Sequence, residues 1–217
     1  MEEKLIKYDT TVENWEQDYN AIIKYAQTIK KWVKKGPILD IACGDGIVGG
    51  YFYKKGFHVI GIELSGNRVK RAVRRIPVIK GDIRYLPFRN EVFNTVFLLA
   101  ILAHGNEEFQ EKIINESHRV LRKSGILIIL TVNRWTLNFL RRIMTVTAYH
   151  DHVRELSPSQ LKKLLIPRFK LLTWENYLIL FEGYINFLEK TIKVRIKKFL
   201  KRIPLLGIEY FVVSVKK

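Results

Sequence analysis

The stretch from Ile38 to Gly50, ILDIACGDGIVGG, decides the fold. A short apolar run opens it, and Gly44, Gly46 and Gly49 then supply G-x-G-x-x-G. Between a strand and a helix, that spacing is the fingerprint of a dinucleotide-binding turn. Two acids stand against the simple version of this reading. Asp40 lies at the end of the strand and Asp45 lies inside the turn. A pyrophosphate wants backbone N–H groups and a helix N-terminus, and nearby carboxylates repel it. The glycines predict close approach of backbone to ligand. The carboxylates predict a ligand with cationic groups and no phosphate.

Before this stretch, Val12 to Val33 carries apolar residues at helical spacing (Trp15, Tyr19, Ile22, Ile23, Ala26, Ile29, Val33), and Gly36-Pro37 stops the helix. Ile38 to Ala42 reads as a buried strand, and the helix after the turn runs through Tyr53 to Gly56. Strands follow at Phe57–Glu63, Pro77–Gly81, Phe93–Leu99 and Ile126–Val132. Between them, Ser65 caps a helix to about Arg75, and Asn106 caps one that reaches Arg122 and closes at Ser124-Gly125. Residues 134–150 read as helical, Ser157-Pro158 starts another helix, Pro167–Glu175 reads as a sixth strand and EYFVVSVKK as a seventh.

Strands alternating with helices imply an α/β fold with a doubly wound, mostly parallel sheet. Right-handed crossovers bring all the strand ends to one edge, where ligands bind. Asp40, Glu63 and Asp82 fall on that edge. S-adenosylmethionine suits this set, because it carries an ammonium, a sulfonium and an adenosine but no phosphate. Asp40 would favour the ammonium, Glu63 would accept from both ribose hydroxyls, and Asp82 would accept from the adenine amino group.

Taken in order, ILDIACGDG, VIGIE, GDIRYLPF, FNTVFLLAILAH and INESHRVLRKSGILIIL resemble the class I S-adenosylmethionine-dependent methyltransferases. The likeness is strongest to their small-molecule and quinone-biosynthesis branch, over about residues 8–132. It implies a Rossmann-like sheet of seven strands with an antiparallel last strand. It also implies a single methyltransferase domain over 1–217: a helical lid at 1–36, a cofactor core at 37–132, and an acceptor-binding and C-terminal part at 133–217. Carried over position by position, Ala42, Gly44 and Gly46 would line the methionine part, Glu63 and Leu64 the ribose, and Asp82 and Ile83 the adenine. Leu99, Ala100 and His104 would border the methyl group, and Tyr8 and Trp15 would lid the cofactor. His104 is the candidate catalytic residue, with Tyr149, His150 and His152 beside it as candidate acceptor contacts. The sequence departs from the family pattern at Ala42, where the family has the first loop glycine, a mild change. Asn94 replaces a common acid in the fourth-strand motif.

The chain has 217 residues, 47% of them hydrophobic, enough for one sizeable domain with a real core. Its single cysteine, Cys43, excludes an intrachain disulfide and a cysteine metal cluster. Cys43 reads as a small buried residue rather than a nucleophile. His150 and His152 lack a third ligand in view, so no metal is expected. Gly49 and Gly50 read as close helix–sheet packing. The start, MEEKLIKYDT, lacks a signal-peptide pattern, and the longest apolar run, Val96–Ala103, is far short of the roughly 20 residues that span a bilayer. A cytoplasmic location is expected.

The net charge of +17 favours anionic partners such as RNA or an anionic membrane surface, and a heat-adapted composition accounts for it equally well. Lys190 to Arg202 forms a basic amphipathic stretch that suits either partner or a solvated helix. The leading functional expectation is methyl transfer to a small acceptor, lipophilic or aromatic. The alternatives are an RNA methyltransferase acting on ribose or a ring nitrogen, and a non-catalytic adenosyl-binding partner subunit. No Asn/Asp-Pro-Pro-aromatic motif follows the fourth strand, which argues against amino-group methylation of bases.

Overall fold

The computed structural model describes residues 15–135, 137–138, 153–177 and 209–217. In chain order they form α1 (Trp15–Ile29), β1 (Ile38–Ile41), α2 (Ile47–Tyr53), β2 (Val59–Glu63), α3 (Gly66–Ala72), β3 (Val78–Lys80), β4 (Phe93–Leu99), α4 (Glu107–Val120), β5 (Leu121–Val132), α5 (Pro158–Leu165), β6 (Phe169–Tyr177) and β7 (Glu209–Lys216). The seven strands make one sheet in the order β3-β2-β1-β4-β5-β7-β6. β1 to β5 pair in parallel, and β7 lies antiparallel between β5 and β6. The expected mostly parallel sheet with an antiparallel last strand is therefore present.

Local chemistry sets the element ends. The Ser65 side chain accepts from Arg68 N and starts α3, and Asn106 does the same for α4 through Phe109 N. Ser157 and Gln160 form a reciprocal capping box at α5, with Pro158 at the first helical position. The α4 helix ends at Val120, two residues before the expected Arg122. Leu121 is already extended and pairs with Phe93. The tight turn at Ser124, at φ 59°, therefore lies within the opening of β5 and does not close the helix.

The sheet buries both faces, so its central strands read as continuous apolar runs. On one face Leu39, Ile41, Leu127 and Ile129 pack with Ile113 of α4 and Leu161 of α5. On the other, Ile38, Phe97, Ile126 and Ile128 pack with Tyr25, Ala26 and Ile29 of α1 and Phe52 of α2. Each such aliphatic side chain contributes about 1.5–3 kcal/mol by burial, which holds the strand ends in fixed register beneath the site. No helix among the described residues is long and apolar enough to cross a membrane. The stretch Lys190–Arg202 lies outside the described residues.

Candidate functional site

β1 delivers Asp40, 3% exposed, to the foot of the glycine turn. Gly44 (φ 55°) and Gly46 (φ 70°) take left-handed backbone, which glycine adopts without cost. Ala42 also stands at φ 55°, and Ala100, just past β4, at φ 59°. An L-residue pays about 1 kcal/mol there, so the Ala42 replacement is less mild than expected. Both strained alanines lie at the edge where the parallel strands end, as local strain often does at functional sites. A Cβ on Gly49 would stand 2.8 Å from Ile76 Cδ1 and 3.1 Å from Asp40 Oδ2. Gly49 thus allows α2 to close on β1, the packing role expected of it.

The turn is electronegative. Burial raises the Asp40 carboxyl to about 7, the Gly49 N–H opposes the rise, and Glu63 adds to it. Burial also pushes the half-buried Cys43 thiol up, helped by Asp40, Glu63 and Asp45. Such a thiol stays protonated and is no nucleophile. Asp45 behaves differently from its sequence reading. Its Oδ1 accepts from Arg71 Nε at 2.8 Å and its backbone O from Arg75 Nη1 at 3.1 Å, both from α3 or just after it. A paired carboxylate cannot be the group that turns a phosphate away, so that role falls to Asp40. Arg68, on the same helix, brings Nη1 to 3.2 Å from where a Gly44 Cβ would stand.

Glu63 ends β2 and is tied into the turn. Oε2 accepts from Gly44 N at 2.9 Å, while Oε1 accepts from Leu64 N and Ser65 N at 3.0 and 2.9 Å. A carboxylate has about four acceptor sites, so one remains, on Oε2. Asp82, after β3, holds Arg84 in a fork: Nε and Nη2 donate to Oδ2 at 2.9 and 2.6 Å. The Arg84 hydrogen bonds hold the Asp82 carboxyl below its usual range. Ile83 is buried in the core, while Leu64 is exposed at the tip of β2.

At the end of β4 Leu99 is half-buried, and a short 3-10 turn beyond it, Leu102–His104, carries His104. The loop is clamped by Gln110 of α4. Its Nε2 donates to Leu102 O at 2.9 Å, Gly105 O at 3.2 Å and Arg154 O at 2.9 Å. Val153 N and Arg154 N both donate to Ala103 O. Trp15 is the first residue of α1, and Tyr8, Tyr149, His150 and His152 lie outside the described residues. The sequence reading missed Arg68, Arg71 and Gln110. The i, i+3 pair of arginines in NRVKR was a visible signal for the first two.

S-adenosylmethionine fits this donor set. Its amino-acid end carries both charges, and the turn offers buried Asp40 and nearby Arg68 within reach of bare backbone.

Residues 39–129 match a family model described as "Methyltransferase domain". An uncharacterised protein of Methanocaldococcus jannaschii is 33% identical over 109 residues, covering 50% of this chain and 47% of that protein. The ubiquinone biosynthesis O-methyltransferase of Rickettsia typhi is 27% identical over 150 residues, covering 61% of this chain and 59% of the relative. The chain spans about half the length of the curated relatives it matches. The solved structure of a Thermotoga maritima S-adenosylmethionine-dependent methyltransferase, described as a possible histamine N-methyltransferase, superposes with a TM-score of 0.71 at 17% identity. It covers 99% of this chain and 100% of that one, and it shares the fold.

Proposed function

We propose that this chain is a class I S-adenosylmethionine-dependent methyltransferase and that it methylates a small-molecule acceptor of lipophilic or aromatic character; the match of residues 39–129 to a methyltransferase domain and the shared fold support this reading. In this reading the cofactor is S-adenosylmethionine, which supplies an activated methyl group when bound. The observation that carries the reading is the glycine turn built over the buried Asp40 carboxyl, which a dinucleotide pyrophosphate bound at the turn would meet.

In this reading Asp40 faces the ammonium, Arg68 the amino-acid carboxylate, and Gly44 and Gly46 line the chain between them. Glu63 takes one ribose hydroxyl on its remaining site and the second by releasing the Gly44 N–H. Asp82 and the Ile83 backbone border the adenine. Asp82 reaches the amino group once Arg84 yields one of its bonds. Leu99 and Ala100 shape the wall behind the methyl group, and His104 is the nearby proton acceptor.

Support for a lipophilic or aromatic acceptor comes from three exposed apolar side chains near the same edge. Leu64 follows β2, Trp135 follows β5, and Val153 is bonded to the loop after β4. Exposed apolar side chains along the ligand-binding edge of the sheet suit such an acceptor. The work left to the protein is positioning and exclusion of water.

Calorimetric titration with S-adenosylmethionine and separately with NAD tests the cofactor. Saturable binding of the first alone is expected, and binding of NAD alone would refute the reading. A methyl-labelled cofactor then tests transfer to phenolic and amine acceptors.

A further inference from the structure

β7 runs opposite to β5, so its first residue, Glu209, reaches the edge where the parallel strands end. Glu209 pairs with Val132, the last residue of β5, and with Tyr177, the last of β6. Alternation fixes its face. Leu99 pairs with Leu130, Leu130 pairs with Phe211, and Glu209 stands two residues from Phe211, on the same side of the sheet. Sheet spacings of about 4.8 Å between strands and about 3.4 Å per residue put its Cα about 12 Å from that of Leu99.

Glu209 opens a strand whose next four residues, Tyr210 to Val213, are aromatic or aliphatic. It is 3% exposed, and its Oε2 has no hydrogen-bond partner. No ion pair reaches it among the described residues. Burial alone lifts the carboxyl to about 7. A leucine would serve the packing at lower cost, since an unpaired buried carboxyl is costly. A local rule broken at the ligand edge of a fold marks function.

We propose that Glu209 is the acceptor-recognising carboxyl of this enzyme, accepting a hydrogen bond from a hydroxyl or amine group of the acceptor. This rests on the methyltransferase reading above. Glu209 then fixes the orientation of an acceptor that carries a proton-donating group, and it selects against analogues that lack one. A site built to hydrogen-bond its substrate rejects such analogues strongly, because its own buried group is left unpaired.

The test compares the full chain with Glu209→Gln and Glu209→Leu. The probes are catechol, 2-phenylethylamine and a small-molecule extract of the source cells, each with methyl-labelled cofactor. Wild type transfers label, and the product shows whether oxygen or nitrogen received it. Glu209→Leu lowers kcat/KM about 100-fold, and Glu209→Gln lowers it about tenfold, mainly through KM. Calorimetric affinity for S-adenosylmethionine stays unchanged in both. Both variants are at least as stable as wild type to urea at pH 8, a result that a merely structural glutamate would not give. Undiminished transfer by folded Glu209→Leu overturns this proposal alone. Binding of the cofactor by wild type without labelling of any probe overturns the enzyme reading beneath it, and this proposal with it.

Discussion

Replacing Asp40 with asparagine removes a carboxyl that the fold holds in its less favoured form. The group moves from 3.8 to about 7 on folding, chiefly through burial. At 1.36 kcal/mol per pKa unit, that costs about 4 kcal/mol of stability at neutral pH. The sign follows from the direction of the change. The folded state holds the proton more tightly, so the cost is absent below about pH 4, grows as pH rises and is complete above about 7. Urea unfolding of the cofactor-free protein at pH 5, 6, 7 and 8 measures it. Wild type loses stability across this range, and Asp40→Asn loses markedly less. Glu209, lifted in the same way, leaves a residual slope in the variant. Titration with S-adenosylmethionine supplies the second readout. Wild-type affinity rises with pH up to about 7 as Asp40 ionises to meet the ammonium, whereas Asp40→Asn binds more weakly and nearly independently of pH. Equal pH slopes of stability in the two proteins would refute the burial argument, and equal affinities would remove Asp40 from the site.

Ala42→Gly relieves the left-handed backbone at φ 55° and should raise stability by about 1 kcal/mol in a thermal melt; a lower Tm would show that Ala42 is unstrained. Arg71→Ala strands the buried Asp45 carboxylate and should cost about 2–3 kcal/mol, with most of it recovered in the Arg71→Ala/Asp45→Asn double variant. Failure of that rescue would mean that Arg71 acts by packing. Glu63→Ala leaves the N–H groups of Gly44, Leu64 and Ser65 without their acceptor. It should lower cofactor affinity at least tenfold, with a stability loss of about 2 kcal/mol in urea; unchanged affinity in the folded variant would end the ribose assignment.

The fold was legible because its signals are local. Ile38–Ile41 is apolar and short, glycines follow at fixed spacing, and Ser65, Asn106 and Ser157 cap helices where the sequence places them. The acids at the strand ends were legible for the same reason. What escaped was pairing across the chain. Asp45 looked like part of the ligand surface, and only α3 folding back onto the turn shows that Arg71 claims it. The forks between Asp82 and Arg84 and between Glu63 and the backbone were likewise invisible from spacing alone. Glu209 was read as one end of a strand. Its place at the ligand edge depends on β7 inserting antiparallel beside β5, a fact of topology and not of local pattern.

That insertion also shapes how the protein reaches its native state. β7 is synthesised after β6 yet sits inside it, joined to β5 along seven residue pairs from Ile126–Val215 to Val132–Glu209. Until β7 arrives, β6 has nothing to join, and β5 presents an open, apolar edge ready to capture another chain. Closure therefore waits on contacts distant in sequence, which are slow to form. During synthesis the β5 edge is complete before β7 exists to cover it, so a chaperone that shields that edge is expected to raise the yield of active protein more than one acting on the finished fold.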